Sequence, residues 1–419
     1  MKRIGVSLLL VLFAASGLFA GSGKEEGPSG PATLTFYHYA TQTHILYLNP
    51  LKEAFKKAFP DITLRTVEVV SGGYEALSQK ILLGLAAGDP PDVGQVGFDQ
   101  FRTMIDSGSV IPLDSFMAKD PSFKKSNLYP AMMKLGQANG KNYMIPIGVS
   151  TPSMLVNVDL FKSVGLDVEN FPKSWDEVRK ASEKLKAAGK MGVLWGWSVT
   201  GNWIFQAMLD NAGGALVDKT GTKATFNSPA GLKTLKYMVD LAADGLMPVT
   251  DQTLATFLTG NLGMLVDSSF QRINTPAQAK FKIRFVAMPT PDGKTPKVPA
   301  GGNGAMMFSK TPEQQQVAWK MLRWLTEAEA SNLVAANCGY LPPNQAVIKD
   351  LIEKYGDDLN YKVILEQAAR VTPWYSWPGK NSNKIAKTLR DMQEAALLGK
   401  IPPQQALDEA AAVIDGLLQ

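Results

Sequence analysis

Residues 74–97, YEALSQKILLGLAAGDPPDVGQVG, carry the pattern of a helix, a stop and a strand in immediate succession. Apolar residues three and four positions apart predict a helix with one buried face; they are Leu77, Ile81, Leu82 and Leu85. Gly88 follows at the position where helices favour a residue that tolerates positive φ. The prolines at positions 90 and 91 prevent the helix from continuing, because each lacks a backbone donor and restrains the residue before it.

The segment after the prolines, residues 92–96 (DVGQV), is short, β-branched in part and bounded by glycine, which is typical of a buried strand. A helix, a stop and a buried strand together predict an α/β fold. In open α/β sheets, ligands bind at the carboxyl ends of the strands. We therefore expect a ligand near residues 95–98, with Phe98 lining its site.

The rest of the N-terminal half continues the alternation of strands and helices that is typical of βαβ folds. Strands are predicted at residues 33–38 and 62–70, with a helix starting at Asn49-Pro50 between them. Residues 143–157 are apolar but are interrupted by two prolines, so they cannot form one regular element. We interpret them as a strand, a crossing and a second strand, which form a passage between two lobes. A length of 419 residues allows two domains.

The N-terminus has the features of a secretory signal over residues 1–20. Lys2 and Arg3 precede a short apolar run and a set of small residues. Residues 18–21, LFAG, match a bacterial lipoprotein box except that glycine stands where the acylated cysteine belongs, so thioether lipidation is not possible. Residues 21–32 are predicted to form a disordered tether. These features predict an exported, periplasmic or extracytoplasmic protein.

Composition argues against several classes of protein. The formal net charge is +5, and it falls to +3 without Lys2 and Arg3, which is too little to indicate a nucleic-acid partner. The single cysteine, Cys338, excludes an intramolecular disulfide and a cysteine-ligated metal cluster. The two histidines, His38 and His44, have no carboxylate-rich motif beside them, so we expect no metal site. No cofactor is predicted.

Catalytic motifs are also missing from the sequence, since no GxSxG, HExxH or GxxxxGK pattern occurs. Residues 301–304, GGNG, form either a glycine turn or a backbone approach to a ligand. A pair of catalytic carboxylates that is formed only in the fold stays open as an alternative, as in a secreted glycan-acting enzyme.

Aromatic residues are concentrated in two segments that we expect to be loops. Trp195, Trp197 and Trp203 surround a strand-to-helix turn, and residues 374–379 read WYSWPG. Flat apolar rings presented in loops favour sugar binding, in which neighbouring polar side chains bind the hydroxyl groups. Packing of these tryptophans within a lobe is the alternative for each of them.

Eight short motifs follow one another along nearly the whole mature chain. They are residues 36–38 (FYH), 55–62 (FKKAFPDI), 88–93 (GDPPDV), 150–157 (STPSMLVN), 172–177 (PKSWDE), 301–302 (GG), 338–342 (CGYLP) and 399–407 (GKIPPQQAL). Each motif alone is weak evidence of a family, but in this order they resemble the carbohydrate-binding group (family 1) of the extracellular solute-binding proteins of bacterial ABC importers, nearest the glycerol-3-phosphate-binding branch.

The resemblance implies a two-lobed periplasmic-binding-protein fold whose ligand cleft lies between the lobes, with no enzymatic activity. We place the N-terminal lobe at residues 33–146 and 260–308, and the C-terminal lobe at 147–259 and 309–419. The implied partners are a small-molecule carbohydrate and the transmembrane subunits of an ABC permease, and the receptor is expected to be a monomer. A sensor or adhesin that binds a similar ligand without transport is a further alternative.

Several residues fall where the branch contacts its ligand: Tyr74, Ser150, Trp197, Trp203, Ser268, Ser269, Gly302 and Tyr340. We add Phe98, Asn303 and Trp374 as candidate ligand-binding residues, with Asp267 as a weaker one. The branch has a phosphate-binding arginine before the last long helix, where this chain reads WPGKN at 377–381, and it has an acidic residue near Gly97 that is missing here. Lys380 compensates only in part for that arginine. We therefore expect a neutral sugar or oligosaccharide, with glycerol-3-phosphate or a glycerophosphodiester as the alternative.

Overall fold

The structure is a computed structural model that describes residues 32–199, 202–368 and 370–418. The predicted signal peptide lies outside the described residues, as does the predicted tether up to Pro31. Ala32, which was assigned to the tether, instead opens the first strand. No helix in the described ranges combines the length and apolar character needed to cross a membrane.

The described residues form thirteen strands. They are β1 (Ala32–Tyr39), β2 (Ile62–Val69), β3 (Val93–Gly97), β4 (Gln137–Ala138), β5 (Lys141–Asn142), β6 (Met144–Ser150), β7 (Pro152–Asn157), β8 (Met191–Trp195), β9 (Leu262–Ser268), β10 (Ile283–Ala287), β11 (Val298–Pro299), β12 (Gly301–Met307) and β13 (Val371–Thr372).

Seventeen α-helices lie within the same described ranges. They are α1 (Ile45–Ala58), α2 (Gly73–Ala87), α3 (Phe101–Asp106), α4 (Asp114–Lys119), α5 (Pro130–Met133), α6 (Val158–Ser163), α7 (Trp175–Ala187), α8 (Trp203–Asn211), α9 (Pro229–Ala243), α10 (Thr253–Leu258), α11 (Asn274–Gln278), α12 (Pro312–Trp324), α13 (Ala328–Asn337), α14 (Gln345–Tyr355), α15 (Leu359–Ala368), α16 (Ser382–Leu397) and α17 (Pro403–Leu418).

The first sheet has the strand order β2-β1-β3-β12-β6 and contains the segment that the sequence marked out. Strand β1 is parallel to β2 and β3, whereas β12 is antiparallel to β3 and β6. Helix α2 buries Leu77 and Ile81, and Gly88 ends it with a φ of +82°. The predicted succession of helix, stop and buried strand is therefore confirmed. Helix α1, in contrast, begins at Ile45 rather than Asn49, because Tyr47 and Leu48 are buried with its apolar face.

The second sheet has the order β10-β7-β9-β8, in which β7 is antiparallel to both β10 and β9. Strand β6 of the first sheet ends at Ser150 and β7 of the second begins at Pro152, so Thr151 is the single residue between these two strands. Thr151 and Ser269 are bound reciprocally: the Thr151 amide donates to Ser269 Oγ at 3.0 Å, and the Ser269 amide donates to the Thr151 carbonyl at 2.9 Å. The predicted passage within residues 143–157 is confirmed.

The predicted lobe boundaries differ from the strand pairing. Residues 260–308 were placed in the N-terminal lobe, but β9 and β10 pair within the second sheet. Residues 309–419 were placed in the C-terminal lobe, but Trp324 of α12 packs on Phe55 of α1, with ring centroids 5.6 Å apart. Both belong to the hydrophobic core that contains Leu34 of β1, a strand of the first sheet. The reason is that a short apolar strand or helix shows its burial in the sequence but not the sheet that buries it.

Asp92 connects β1 to the residues after β12, and this gives a test of the fold. Its Oδ2 accepts the Thr35 amide at 2.8 Å, and its Oδ1 accepts the Ser309 hydroxyl at 3.1 Å. Asp92→Ala should lower the free energy of unfolding by about 1–3 kcal/mol, because it leaves the Thr35 amide without its acceptor and leaves the Ser309 hydroxyl only the longer bond to the Asp92 carbonyl, at 3.4 Å. Asp89→Ala, at an exposed position of the same turn, should change it by less than about 0.5 kcal/mol. Urea denaturation measures both; equal effects would contradict this role of Asp92.

Candidate functional site

A cluster of buried hydroxyl, imidazole and amide groups lies where β3 and β12 run side by side. We call it the hydroxyl cluster, and it consists of His44, Tyr47, Tyr74, Gln95, Asn303 and Tyr340. Asn303 Nδ2 donates to the Tyr74 hydroxyl at 2.7 Å, and the hydroxyls of Tyr74 and Tyr340 are 3.3 Å apart. The cluster therefore brings together three of the predicted site residues, Tyr74, Asn303 and Tyr340.

Residues 301–304 belong to strand β12, so the interpretation of this segment as a glycine turn was wrong. Gly302 has a φ of +110°, and a Cβ at this position would lie 2.1 Å from the carbonyl oxygen of Gly148 in β6. Only glycine fits there, and its role is close packing of strands. The glycines allow β12 to cross the middle of the sheet and present Asn303 to β3.

Gln95, at the expected ligand-binding end of β3, forms its bonds within the protein. Its Oε1 accepts the Tyr39 amide at 2.8 Å, and its Nε2 donates to both Tyr47 and Asn303 at 2.9 Å. Gln95 therefore holds the hydroxyl cluster in place and has no donor left for a ligand.

The hydroxyl cluster is electrically neutral at physiological pH. Burial lowers the pKa of His44 to about 4, with a smaller contribution from His38, and His44 Nε2 lies 3.1 Å from the Tyr74 hydroxyl. Burial also raises the pKa of Tyr47 and Tyr74 well above their ordinary value. The cluster thus offers neutral donors and acceptors, which suit hydroxyl groups better than ions.

The carboxyl end of β3 presents two polar side chains that the sequence analysis missed, Asp99 and Gln100. Asp99 is 4 % exposed, and its Oδ2 accepts Gln100 Nε2 at 3.0 Å. Among the described residues, neither Asp99 Oδ1 nor Gln100 Oε1 has a hydrogen-bond partner. Both follow Phe98, which is buried as the first residue after the strand. Their position just beyond a buried strand was the signal that could have found them.

Gly97 is needed for this arrangement. A Cβ at position 97 would lie 2.4 Å from Asp99 Oδ1 and 2.6 Å from the ring of Tyr74. Asp99 therefore folds back over the strand end against the tyrosine of the hydroxyl cluster. Burial raises the pKa of Asp99 to about 7, and the carboxyl of Glu75 adds to the rise. The sequence analysis described the acidic residue near Gly97 as missing, and this was wrong, because Asp99 places a carboxyl group beside Gly97.

The aromatic segment at residues 374–379 lies against this end of β3. Ser376 Oγ donates to the Asp99 carbonyl at 2.6 Å and accepts the Arg102 amide at 2.8 Å. Trp377 beside it is buried, and its Nε1 has no partner in the described part of the chain. An indole donor without a partner therefore belongs to the residue next to Ser376, which binds the Asp99 carbonyl.

Trp203 and Trp374 pack against each other with ring centroids 5.7 Å apart, and they are 2 % and 7 % exposed. Trp203 Nε1 donates to the Pro299 carbonyl at 2.9 Å. A Cβ on Gly301 would lie 2.7 Å from both Ser150 Oγ and the Trp203 ring, so these predicted site residues are close to one another. In this conformation Trp203 has the packing role that was kept as its alternative.

The predicted site residues not yet described lie outside the hydroxyl cluster, and those among them with hydroxyl or carboxyl groups form hydrogen bonds within the protein. Ser268 Oγ accepts the Phe270 amide at 3.1 Å, and Ser269 belongs to the crossing between the sheets. Asp267 accepts the Ser268 amide at 2.5 Å and the Thr253 hydroxyl at 3.2 Å, so it stabilises the turn after β9. Trp197 lies beyond the end of β8 and lines a separate cavity.

The described residues contain no group of three histidine, cysteine, aspartate or glutamate side chains that could hold a metal ion. His38 and His44 are both buried. Cys338 is fully buried, and burial raises the pKa of its thiol to about 12.

Comparison with known proteins shows the family to which the chain belongs. A family model described as bacterial extracellular solute-binding protein matches residues 41–332. The sn-glycerol-3-phosphate-binding periplasmic protein UgpB of Escherichia coli O6:K15:H31 (strain 536 / UPEC) is 26 % identical over 428 residues, which cover 95 % of each chain.

Two of the solved structures that share the fold bind different kinds of solute. The cyclic alpha-maltosyl-1,6-maltose binding protein of Arthrobacter globiformis superposes with a TM-score of 0.77 at 23 % identity, covering 93 % of this chain and 99 % of that one. UgpB of Mycobacterium tuberculosis, in complex with glycerophosphocholine, has a TM-score of 0.78 at 21 % identity, covering 93 % and 98 %. The predicted two-lobed α/β fold is confirmed.

Asp99→Asn tests the electrostatics of the site. Because burial raises the pKa of Asp99 from 3.8 to about 7, the folded protein keeps a proton that the unfolded chain releases, and this group's stabilising contribution is lost as pH rises from about 4 to 7. The variant should therefore be more stable than wild type at pH 7.5, by on the order of 1–3 kcal/mol, and nearly equal to it near pH 4. Urea unfolding at several pH values measures this. The exposed Asp89→Asn is the control, and a pH-independent difference would contradict the assignment.

Proposed function

Because the chain belongs to the family of bacterial extracellular solute-binding proteins, we propose that it binds a neutral carbohydrate between its two lobes and delivers it to an ABC permease. Members of this family are receptors of importers and not enzymes, so the glycan-acting enzyme is excluded as an alternative. The nature of the solute is the part that we infer from the site.

The observation that carries the carbohydrate proposal is the set of unpartnered polar atoms beside the aromatic segment. Asp99 Oδ1 and Gln100 Oε1 are acceptors and Trp377 Nε1 is a donor, and all three are buried without a partner among the described residues. A buried polar atom without a partner costs about 1–3 kcal/mol. A sugar supplies hydroxyl groups that both donate and accept, together with apolar ring faces, and it would satisfy these atoms.

Charge favours a neutral ligand over a phosphate. Glu75 and Asp99 are two carboxyl groups near the end of β3, and burial raises the pKa of both. Residues 377–381, WPGKN, contain no arginine that could bind a phosphate through two parallel hydrogen bonds. A phosphate dianion next to Asp99 would place further negative charge beside a carboxyl whose ionisation burial already disfavours.

Glycerol-3-phosphate or a glycerophosphodiester is the second candidate. The similarity to the Escherichia coli glycerol-3-phosphate-binding protein over nearly the full length favours it. In that case Lys380 or Arg390 would have to neutralise the phosphate.

The proposed mechanism is reversible closure of the two lobes about the crossing at Thr151, in which ligand contacts stabilise the closed state. We further propose that the receptor works as a monomer outside the cytoplasm. In this proposal the signal at residues 1–20 exports it, and it is not thioether-lipidated because Gly21 replaces the lipobox cysteine.

Thermal denaturation against neutral sugars, oligosaccharides and glycerol-3-phosphate tests the proposed ligand class. A ligand that binds only the folded state stabilises it by RT ln(1 + [L]/Kd), so a micromolar ligand at millimolar concentration should add about 4 kcal/mol. We expect a shift with a neutral sugar or oligosaccharide. A shift with glycerol-3-phosphate alone would instead establish the second candidate.

Asp99→Asn should also weaken binding of the sugar that stabilises wild type. The amide cannot form the charge-assisted hydrogen bond of a carboxylate, so we expect Kd to rise about 10- to 100-fold. Isothermal titration calorimetry at pH 7.5 measures the change, with Asp89→Asn as the control. Unchanged affinity in the Asp99 variant would remove Asp99 from the ligand site.

A further inference from the structure

The segment that leads into α16, residues 373–382, contains the aromatic segment and contacts both halves of the structure. We call it the strap. Just before it, β13 pairs with β11, and the Ala300 amide donates to the Thr372 carbonyl at 2.8 Å. Ala300 belongs to the connection between β10 of the second sheet and β12 of the first. The strap therefore begins beside a crossing between the two sheets.

The strap is fixed to the half of the structure that contains the second sheet. The Tyr375 amide donates to Oε1 of Gln206 in α8 at 3.0 Å, and Gln206 Nε2 donates to the Pro373 carbonyl at 3.3 Å. Helix α8 follows β8 of the second sheet. Asn202, which precedes α8, donates through Nδ2 to the Ala386 carbonyl of α16 at 2.9 Å. Both ends of the strap are therefore held by the second lobe.

The same strap is bonded to the residues that follow β3 of the first sheet. Ser376 Oγ donates to the Asp99 carbonyl at 2.6 Å and accepts the Arg102 amide at 2.8 Å. This amide lies in the first turn of α3, where backbone donors have no partner within the helix. The Thr103 hydroxyl donates to the Ser382 hydroxyl at 2.8 Å, and both residues are buried. The second lobe thus caps a helix of the first.

Asp106, the last residue of α3, adds a further attachment. Its Oδ2 accepts the Gly379 amide at 2.8 Å, and its Oδ1 accepts Arg102 Nε at 2.7 Å. Gly379 has a φ of +71°, in the region that favours glycine. Beyond α3, the Ile111 amide donates to the Met307 carbonyl of β12 at 3.0 Å. The segment that contains α3 is therefore tied to the first sheet at both of its ends.

We propose that the strap is a gate that holds the two lobes together beside Asp99 and must detach from α3 before a solute leaves. The inference rests on the proposed closure of the lobes and adds the contact that opposes their separation. A movement that parts α3 from α16 breaks the bonds at Ser376, Gly379 and Ser382 together. These bonds use the Asp99 carbonyl and leave its carboxyl group to the solute. The strap therefore stabilises the closed arrangement whatever the solute is.

Removing the strap bonds tests the gate. The double variant Asp106→Ala, Ser376→Ala loses the bonds to the Gly379 amide, the Asp99 carbonyl and the Arg102 amide. We expect a bound solute to dissociate about tenfold faster, because interface contacts act mainly on the rate of dissociation. Asp61→Ala removes an exposed carboxylate of the first lobe, between α1 and β2, and is the control. It should change the rate by less than about twofold.

The probe is the solute, among maltose, maltotriose, arabinotriose and glycerol-3-phosphate, that raises the melting temperature of wild type most. Rapid filtration of the radiolabelled probe gives the dissociation rate, and isothermal titration calorimetry gives Kd. Small-angle X-ray scattering without added solute is a second readout. The double variant should have a larger radius of gyration than wild type, and Asp61→Ala should not. Thermal melting checks that every variant folds.

The double variant Thr103→Cys, Ser382→Cys tests the gate in the opposite direction. The hydroxyl oxygens at these positions are 2.8 Å apart, so two sulfurs placed there lie within reach of a disulfide bond. Treatment with oxidised glutathione forms the bond and releases two molecules of reduced glutathione. We expect the oxidised variant to retain bound probe over the time in which wild type releases all of it. Dithiothreitol should restore the release.

The outcomes separate the gate from the proposed function. If the Asp106, Ser376 variant keeps the wild-type rate and radius of gyration, or if the oxidised cysteine variant releases probe as fast as the reduced one, the gate is wrong and the receptor stands. If glycerol-3-phosphate is the probe that binds, the carbohydrate assignment is wrong and the gate is tested in the same way. If no probe stabilises wild type, scattering decides, and an unchanged radius of gyration overturns the gate.

Discussion

The pair of hydrogen bonds between Thr151 and Ser269 is the constraint on which the rest of the structure depends. One residue separates a strand of the first sheet from a strand of the second, so the two sheets have almost no slack at this point. The Thr151 hydroxyl also donates to Gln367, which fixes the crossing to α15. A relative movement of the lobes would change the backbone torsions here and in the chain's other connection between the sheets, residues 288–300 between β10 and β12.

Asp99 is held in an energetically unfavourable environment. It is buried, one of its oxygens has no partner among the described residues, and its position requires glycine at residue 97. A buried polar atom without a partner lowers the stability of the fold. The side-chain amides of Gln95 and Asn303 beside it are fully hydrogen-bonded within the protein. The end of β3 therefore combines a fully bonded network with a small number of buried polar atoms that have no partner among the described residues.

The sequence was informative where local physics decides the structure. The periodicity of α2 and the stop at Gly88 both depend on neighbours within a few residues, and both are present. Sheet membership of β9 and the position of Asn303 inside β12 depend on pairing between distant segments, and these could not be predicted. Asp99 was missed although it lies just beyond the predicted strand, because the expected ligand site was limited to residues 95–98. Family resemblance located Tyr74 and Tyr340 but not the hydrogen bonds that join them.

The burial of Cys338 has a practical consequence for following the protein in solution. Its thiol is enclosed and its pKa is raised to about 12, so it stays protonated and out of reach of alkylating reagents while the protein is folded. A second cysteine introduced on the surface can therefore be labelled with a fluorophore without first replacing the native one. A dye beside the opening between the lobes would report ligand-dependent closure in the otherwise unmodified chain. The fold thus provides the chemical selectivity that a fluorescent sensor needs.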